Sequence, residues 1–371
     1  MIRIRKSIID AVNNAVTPQD LYPSLQLAIS LELSTIPVYL SGLFTLKETN
    51  TGQANANVAE IMTSVVNEEM LHMCIAANTL TALGGTPVLN TEAVVPSYPG
   101  PLPGDTDDGL IVHLLPFSAD AAVLNTYMRI EEPDVIVQPS GPAKIPLQPE
   151  PPPQPGETQS IGDFYRAIIA KLQTLPDSSI NPDPASPNQM NQVVEVFFTS
   201  PALPAAITDI NSAVAALNII IDQGEGTSAS PEEIDPLDPN ETVAHFYRFA
   251  EIVMGKSIVV SGSTYDFSGS PVTFDTTPSG IYNMYPDPTL AVMETLLSAS
   301  DFQICQNFSA AYTALLDALN SVFNGNPQGI NDVINNNMFA LPTAATGVLA
   351  IPAGTSGNTA GLCFEIFRPP S

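Results

Sequence analysis

Basic residues are scarce in this chain. Eleven Lys and Arg stand against 38 Asp and Glu over 371 residues, giving a formal net charge of −27, and Arg3, Arg5 and Lys6 take three of the eleven. No basic stripe can be assembled on such a surface, which excludes nucleic acid as a partner. The charge reads as a solvated, self-repelling exterior. Tryptophan is absent, and there are three cysteines and three histidines. Cys74, Cys305 and Cys363 lie far apart and form no Cys-x-x-Cys pair. Neither a zinc knuckle nor a disulfide framework is indicated, so buried free thiols are the default. Any histidine-ligated metal must draw on His72, His113 and His245. No run of eighteen apolar residues is present, and Asp10, Asn13 and Asn14 interrupt what would be a signal peptide. The expectation is a cytoplasmic protein with no membrane partner. A serine elbow, a Cys/His nucleophile pair, a phosphate-cradling Gly loop and a dinucleotide fingerprint are all missing.

What is present is helical periodicity separated by proline. From about Gln19 to Lys47, Leu25, Ile29, Glu32, Ile36, Tyr39 and Leu43 recur at helical spacing, which places Glu32 on an apolar stripe. Pro37 lies in the same segment, and a kink just past Glu32 follows from its missing N–H. A second helix is expected from about Val58 to Leu83, stopped by Gly84-Gly85. Its stripe contains Glu69 and His72, while Glu68 is rotated about a hundred degrees off it. Glu69 is therefore the ligand candidate, and Glu68 belongs behind it or in solvent. A carboxylate and an imidazole one turn apart on a core-facing stripe are costly unless compensated, and a metal ion compensates both. The bland alternative for His72 is a hydrogen-bonded core histidine.

Further along, Ser118 caps a helix to about Ile130, and Glu131-Glu132-Pro133 closes it. His113 reads as a packed or capping residue, having no carboxylate near it in sequence. Residues 133–158 form a proline-rich insertion, extended over the surface. Ser160-Ile-Gly-Asp163 caps a helix to about Leu175. Another helix is expected from about Ala205 to Ile221, with Glu225 continuing its stripe by one turn. Glu225 is then either a further inward ligand or a solvated acid at a Gly-terminated end. The helix from Asp238 or Asn240 to Lys256 carries His245, with Glu241 on its face and Thr242 three residues before it. A bundle domain over residues 18–256 is expected. A C-terminal extension over 257–371 would hold a short hairpin around Val272-Thr-Phe, a long helix from Leu290 to Phe323 and an irregular tail.

Four helices thus offer Glu32, then Glu69 with His72, then Glu225, then His245. Di-metal bundles use a Glu from each of two helices and Glu-x-x-His from the other two. Several segments resemble the ferritin-like domain of iminophenyl-pyruvate dimer synthases, enzymes of violacein- and rebeccamycin-type indole pathways. They are Leu27-Ala-Ile-Ser-Leu-Glu32-Leu-Ser-Thr-Ile-Pro37-Val-Tyr39-Leu, Glu68-Glu-Met-Leu-His72-Met, Leu115-Pro-Phe-Ser118, Ile161-Gly-Asp-Phe-Tyr165, Gln223-Gly-Glu-Gly226 and His245-Phe-Tyr-Arg-Phe249. The resemblance implies a mainly α, ferritin-like four-helix bundle with an iron site built from Glu32, Glu69, His72, Glu225 and His245. It also implies oxidative coupling of aromatic imine or indole-like substrates, and for such an enzyme Glu68 or Tyr39 is the candidate catalytic proton relay. Thr242, where the pattern wants a glutamate, departs from it. That departure keeps two alternatives open: a mononuclear or asymmetric site, and a non-catalytic chromoprotein holding an aromatic or indole-type ligand in the bundle. A homo-oligomer is compatible with either.

Overall fold

The structure is a computed structural model that describes residues 3–47, 55–104, 110–118, 121–146, 158–194, 206–225, 231–232, 243–262, 264–275 and 277–369. Within them the chain is mainly α, as expected. Its helices are α1 (Lys6–Asn14), α2 (Tyr22–Thr45), α3 (Ala56–Ala82), α4 (Ala121–Ile130), α5 (Ile161–Leu172), α6 (Pro187–Met190), α7 (Ile210–Glu225), α8 (His245–Met254), α9 (Leu290–Leu296), α10 (Ala299–Phe323), α11 (Ile330–Val333) and α12 (Ala340–Leu349). The strands are two- or three-residue pairs, such as Ile4–Arg5 against Thr158–Gln159.

The antiparallel pair α2 and α3 is the most extensive packing in the molecule, and α4, α7 and α8 close the bundle on one side of it. On the other side lie α10 and α12, so α2 is sandwiched. Every residue of α2 from Ala28 to Tyr39 is buried. The amphipathic stripe expected from the sequence is one face of a helix that is covered all round. Pro18–Thr45 is long and apolar enough to span a bilayer, but most of that window is inside the protein. The helix continues through Pro37, whose ring deprives the Leu33 carbonyl of its partner. Nearby, Ser34 and Thr35 hydroxyls bond the carbonyls of Leu31 and Glu32 at 2.6 and 2.8 Å.

Local signals set several boundaries. Asp20 Oδ2 accepts from the Thr17 and Val16 amides at 2.8 and 3.0 Å, closing the turn that launches α2. Ser160 Oγ accepts from the Asp163 amide at 2.9 Å and starts α5 where the sequence placed it. Three expectations are corrected. The long helix from Leu290 to Phe323 is two, because Leu297 is extended and Ser298 caps a new start. The tail is not irregular throughout: α12 tolerates Pro342 because it sits in the first turn, where an amide has no helical acceptor. The hairpin pairs Val259–Ser261 with Thr264–Asp266 rather than forming at Val272, with Gly262 at φ 64° in the turn.

Candidate metal centre

Four helices place the five inward ligands. Glu32 comes from the middle of α2, Glu69 and His72 from consecutive turns of α3, Glu131 from the residue after α4, and His245 from the first position of α8. All of them are buried or nearly so. His72 Nδ1 lies 3.6 Å from Glu32 Oε2 and 3.7 Å from Glu69 Oε1. His245 Nδ1 lies 3.0 Å from Glu69 Oε1 and 3.4 Å from Glu131 Oε2. The two imidazoles stack at 5.5 Å between centroids. The result is two triads, Glu32–Glu69–His72 and Glu69–Glu131–His245, each with donor atoms within 4.8 Å of one another. Glu69 belongs to both.

The other ends of these side chains are tied down. Each carboxylate accepts a hydroxyl hydrogen bond: Glu32 from Tyr165, Glu69 Oε2 from Thr35 at 2.6 Å, and Glu131 from Tyr39. His72 Nε2 sits 2.8 Å from Gln223 Oε1, and His245 Nε2 sits 2.8 Å from Glu68 Oε2. Both outer nitrogens face acceptors, so in the neutral rings the proton resides on Nε2 and the Nδ1 lone pairs point at the carboxylates. Glu68 is in turn bonded to Arg248 Nη1 at 2.9 Å, and Arg248 is held by the Val243 carbonyl at 2.7 Å and Ser64 Oγ at 3.0 Å.

The electrostatics separate the two adjacent glutamates. Burial alone would raise Glu68, but the Arg248 guanidinium and His245 outweigh it and hold its carboxyl well below the usual range. Glu69 has no such cation. Burial, then the charges of Glu131 and Glu32, push it up to about 7 against the attraction of His245. Burial opposes a charge on His72 and His245, yet the surrounding glutamates raise both, His245 strongly. Tyr39 and Tyr165 are driven well up by burial and their carboxylate neighbours, so both remain phenols and donate. His245 Nδ1 is buried with no hydrogen-bond partner in acceptable geometry. Three crowded carboxylates and an orphaned imidazole nitrogen fit a cation, which would ligate all of them and remove their mutual repulsion. A cavity of about 50 Å³ adjoins the cluster, lined by Glu32, Glu69, His72, Glu131 and Tyr165 among others.

Of the sequence candidates, Glu32, Glu69, His72 and His245 come together. Glu225 ends α7, but its side chain lies outside the described residues, as do Glu241 and Thr242. The expected helical turn before His245 is corrected: Ala244 is extended at ψ 159° and α8 begins at His245 itself. Glu68 is turned to His245 and Arg248, and Tyr39 to Glu131. Glu131 and Gln223 were missed. Glu131 reads in the sequence only as part of the Glu131-Glu132-Pro133 helix stop, and the requirement for one more carboxylate is the signal that points to it. His113 does have a carboxylate partner, Asp287 at 2.7 Å, brought from 174 residues away.

A family model described as Ferritin-like matches residues 25–254. Dichlorochromopyrrolate synthase of Lentzea aerocolonigenes is 21% identical over 96% of this chain, which spans 36% of that protein's length. The crystal structure of a ferritin-like protein from Caulobacter vibrioides superposes with a TM-score of 0.53 at 22% identity, covering 88% of this chain and 93% of that one. With the matched segment running from α2 to the end of α8 and enclosing both triads, the chain belongs to the ferritin-like family.

Proposed function

We propose that this protein is a metal-dependent oxidase or coupling enzyme, holding iron at the two triads and acting on aromatic imine or indole-like molecules. The observation that carries the metal half is the orphaned, buried His245 Nδ1 facing two carboxylates. The substrate half is supported by the likeness to dichlorochromopyrrolate synthase and by the motif resemblance above. Because the chain spans about a third of that relative, the activity is proposed on this support alone.

Glu32 with His72 would hold one ion and Glu131 with His245 the other, with Glu69 between them. Iron bound there supplies one-electron redox chemistry toward dioxygen or peroxide. Joining two imine molecules by a carbon–carbon bond removes two electrons and two protons, and the oxidant takes both. The protein's part is to keep the ligands in place and to manage protons. The Nε2–H of His245 is held on Glu68, which stays anionic beside Arg248 and so favours a basic Nδ1. Tyr39 and Tyr165 fix the carboxylates of Glu131 and Glu32 as donors. Burial and the Glu131 charge drive the Tyr39 phenol well up, so it keeps its proton and acts on Glu131 as a hydrogen-bond donor. The 50 Å³ beside the cluster is room for a small oxidant, while binding pockets for organic molecules run to about 300 Å³ or more. Substrate oxidation at this site therefore requires a wider opening than the described residues show.

The test is to measure metal per chain, record a visible spectrum and follow oxygen uptake with indole-3-pyruvate plus ammonium. Two irons per chain with substrate-dependent oxygen uptake supports the enzyme. A metal-free chain that cannot be loaded sinks it.

A further inference from the structure

The face of α2 and α3 opposite the metal triads carries a second cavity. Its volume is about 270 Å³, and it lies between that helix pair and the C-terminal helices α10, α11 and α12. Helical phase explains the division. Glu32, Thr35 and Tyr39 look toward the triads, while Leu33, Ile36 and Leu40, one residue on, line the cavity. On α3 the same offset separates Glu69 and His72 from Met70 and Met73. Among the described residues the two cavities share no lining residue.

We propose that this cavity binds one uncharged, apolar small molecule with a single hydrogen-bond acceptor, of the size of a bicyclic aromatic ketone. Among the described residues no charged side chain lines it. Apolar cavities of about 150 Å³ already take up benzene, so 270 Å³ accommodates two fused rings with a short substituent. Its walls include Met70, Met73 and Met338, whose unbranched side chains adapt to a guest. Residues Ile334–Met338 form a π-helical turn, a wider geometry that recurs at functional sites, and both ends of that turn line the cavity.

The polar requirement comes from Tyr312. It lines the cavity, is 3% exposed, and its hydroxyl is buried with no hydrogen-bond partner. The ring is fixed edge-on against Phe364 at 5.1 Å, so it does not swing to water freely. A buried hydroxyl without a partner is costly, and burial drives this one well up in pKa, leaving it a donor. A carbonyl oxygen on the guest would satisfy it. Nothing in this assignment depends on the metal site or on its proposed chemistry.

The probe is 2-acetylnaphthalene, with naphthalene as the analogue that lacks the acceptor. Binding is read by equilibrium dialysis, which is unaffected by the tryptophan that one variant below adds to a chain otherwise without any. The parent chain should bind 2-acetylnaphthalene saturably at one per chain. Leu319→Trp, which fills the cavity from α10, should weaken it by at least about tenfold while the far-UV circular dichroism is unchanged. Tyr312→Phe should weaken the ketone about five- to tenfold, the factor of one hydrogen bond, and leave naphthalene unaffected. Absence of saturable binding by the parent overturns the proposal, as does binding that survives Leu319→Trp. Equal effects of Tyr312→Phe on both probes would overturn the hydrogen-bonding part. If the probe fails and the parent is a dimer that Phe339→Asp dissociates, this face belongs to a second copy of the chain.

Discussion

Glu68 Oε2 stands 2.8 Å from Nε2 of His245, the ring nitrogen that does not face the carboxylate cluster. Adjacent residues of α3 thus serve opposite sides of one imidazole, Glu69 at Nδ1 and Glu68 at Nε2. A partner of this kind fixes the tautomer and raises the basicity of the ligating nitrogen, and its loss typically costs about 10–100-fold in metal affinity. Glu68→Gln preserves the shape but places a neutral group between His245 and Arg248. Its affinity for iron(II), measured against a competing chelator, should fall by about that factor with the fold intact. Glu68→Ala should do worse in stability, since it removes a buried carboxylate that pairs with the Arg248 guanidinium and with His245. An unchanged affinity in Glu68→Gln would show that the pair is only structural.

The sharing of Glu69 predicts a pattern of stoichiometry. Glu32→Ala should remove the ion held with His72, and Glu131→Ala the ion held with His245, so each variant retains about half the parent's iron by elemental analysis. Glu69→Ala should lose both. Full loading of Glu131→Ala would refute its assignment as a ligand.

Glu131 is the residue on which the sequence was least informative, and the reason is physical. Glu69 and His72 were legible because both sit on one helix, where spacing alone reports a shared face. Glu32 was legible because α2 is regular around it. Glu131 follows the last residue of α4 and precedes Pro133, so no periodicity reaches it. Its position depends on the chain crossing from α4 toward α8, a tertiary fact. His245 was found as a residue but misplaced locally, because the helix was extended back through residues that belong before its start. Gln223 is hidden for a different reason: a neutral amide carries no charge to mark it in the sequence, yet it is acceptor enough for an imidazole N–H. The second face of α2 is covered by α10 and α12, a long-range packing that no local pattern reports.

The pH dependence of the metal-free protein follows from the same cluster. Glu69, at about 7 when folded against an ordinary 4.5, binds its proton more tightly in the folded state. His72 and His245, both raised above 6.5, do so too. The stability these three groups contribute is complete below about pH 4.5 for Glu69 and below about 6.5 for the histidines. It is lost as pH rises through 7 and above, with Glu69 alone accounting for of order 3 kcal/mol. Glu68, lowered by Arg248 and His245, has the opposite sign, and its contribution falls away only on acidification below 4.5. Melting temperature of the metal-free chain should therefore fall between pH 5 and pH 8. Iron loading should flatten that decline, because the ions replace the protons. A melting temperature that rises over this range without metal would contradict the cluster's electrostatics.

Gly42 tests the packing that holds Tyr39 in place. A Cβ there would meet the Tyr127 hydroxyl in a clash and Met62 Cε at 2.9 Å. Tyr127 packs edge-on against Tyr39 at 5.2 Å, and Tyr39 in turn donates to Glu131. In an open helix Gly→Ala would stabilise by up to about 1 kcal/mol. Here overpacking costs about 1–3 kcal/mol, and the neighbours are buried aromatics with little room to yield. The steric term wins, so Gly42→Ala should lower stability by about 1–2 kcal/mol in denaturant unfolding. It should also disturb iron binding at the Glu131 triad more than at the Glu32 triad, because the displacement passes through Tyr127 and Tyr39. Adding Tyr127→Phe removes the hydroxyl that the new methyl meets, so the double variant should recover part of the loss and the two changes should not add. A more stable Gly42→Ala would mean that helix propensity outweighs the contact and that Tyr127 is free to give way.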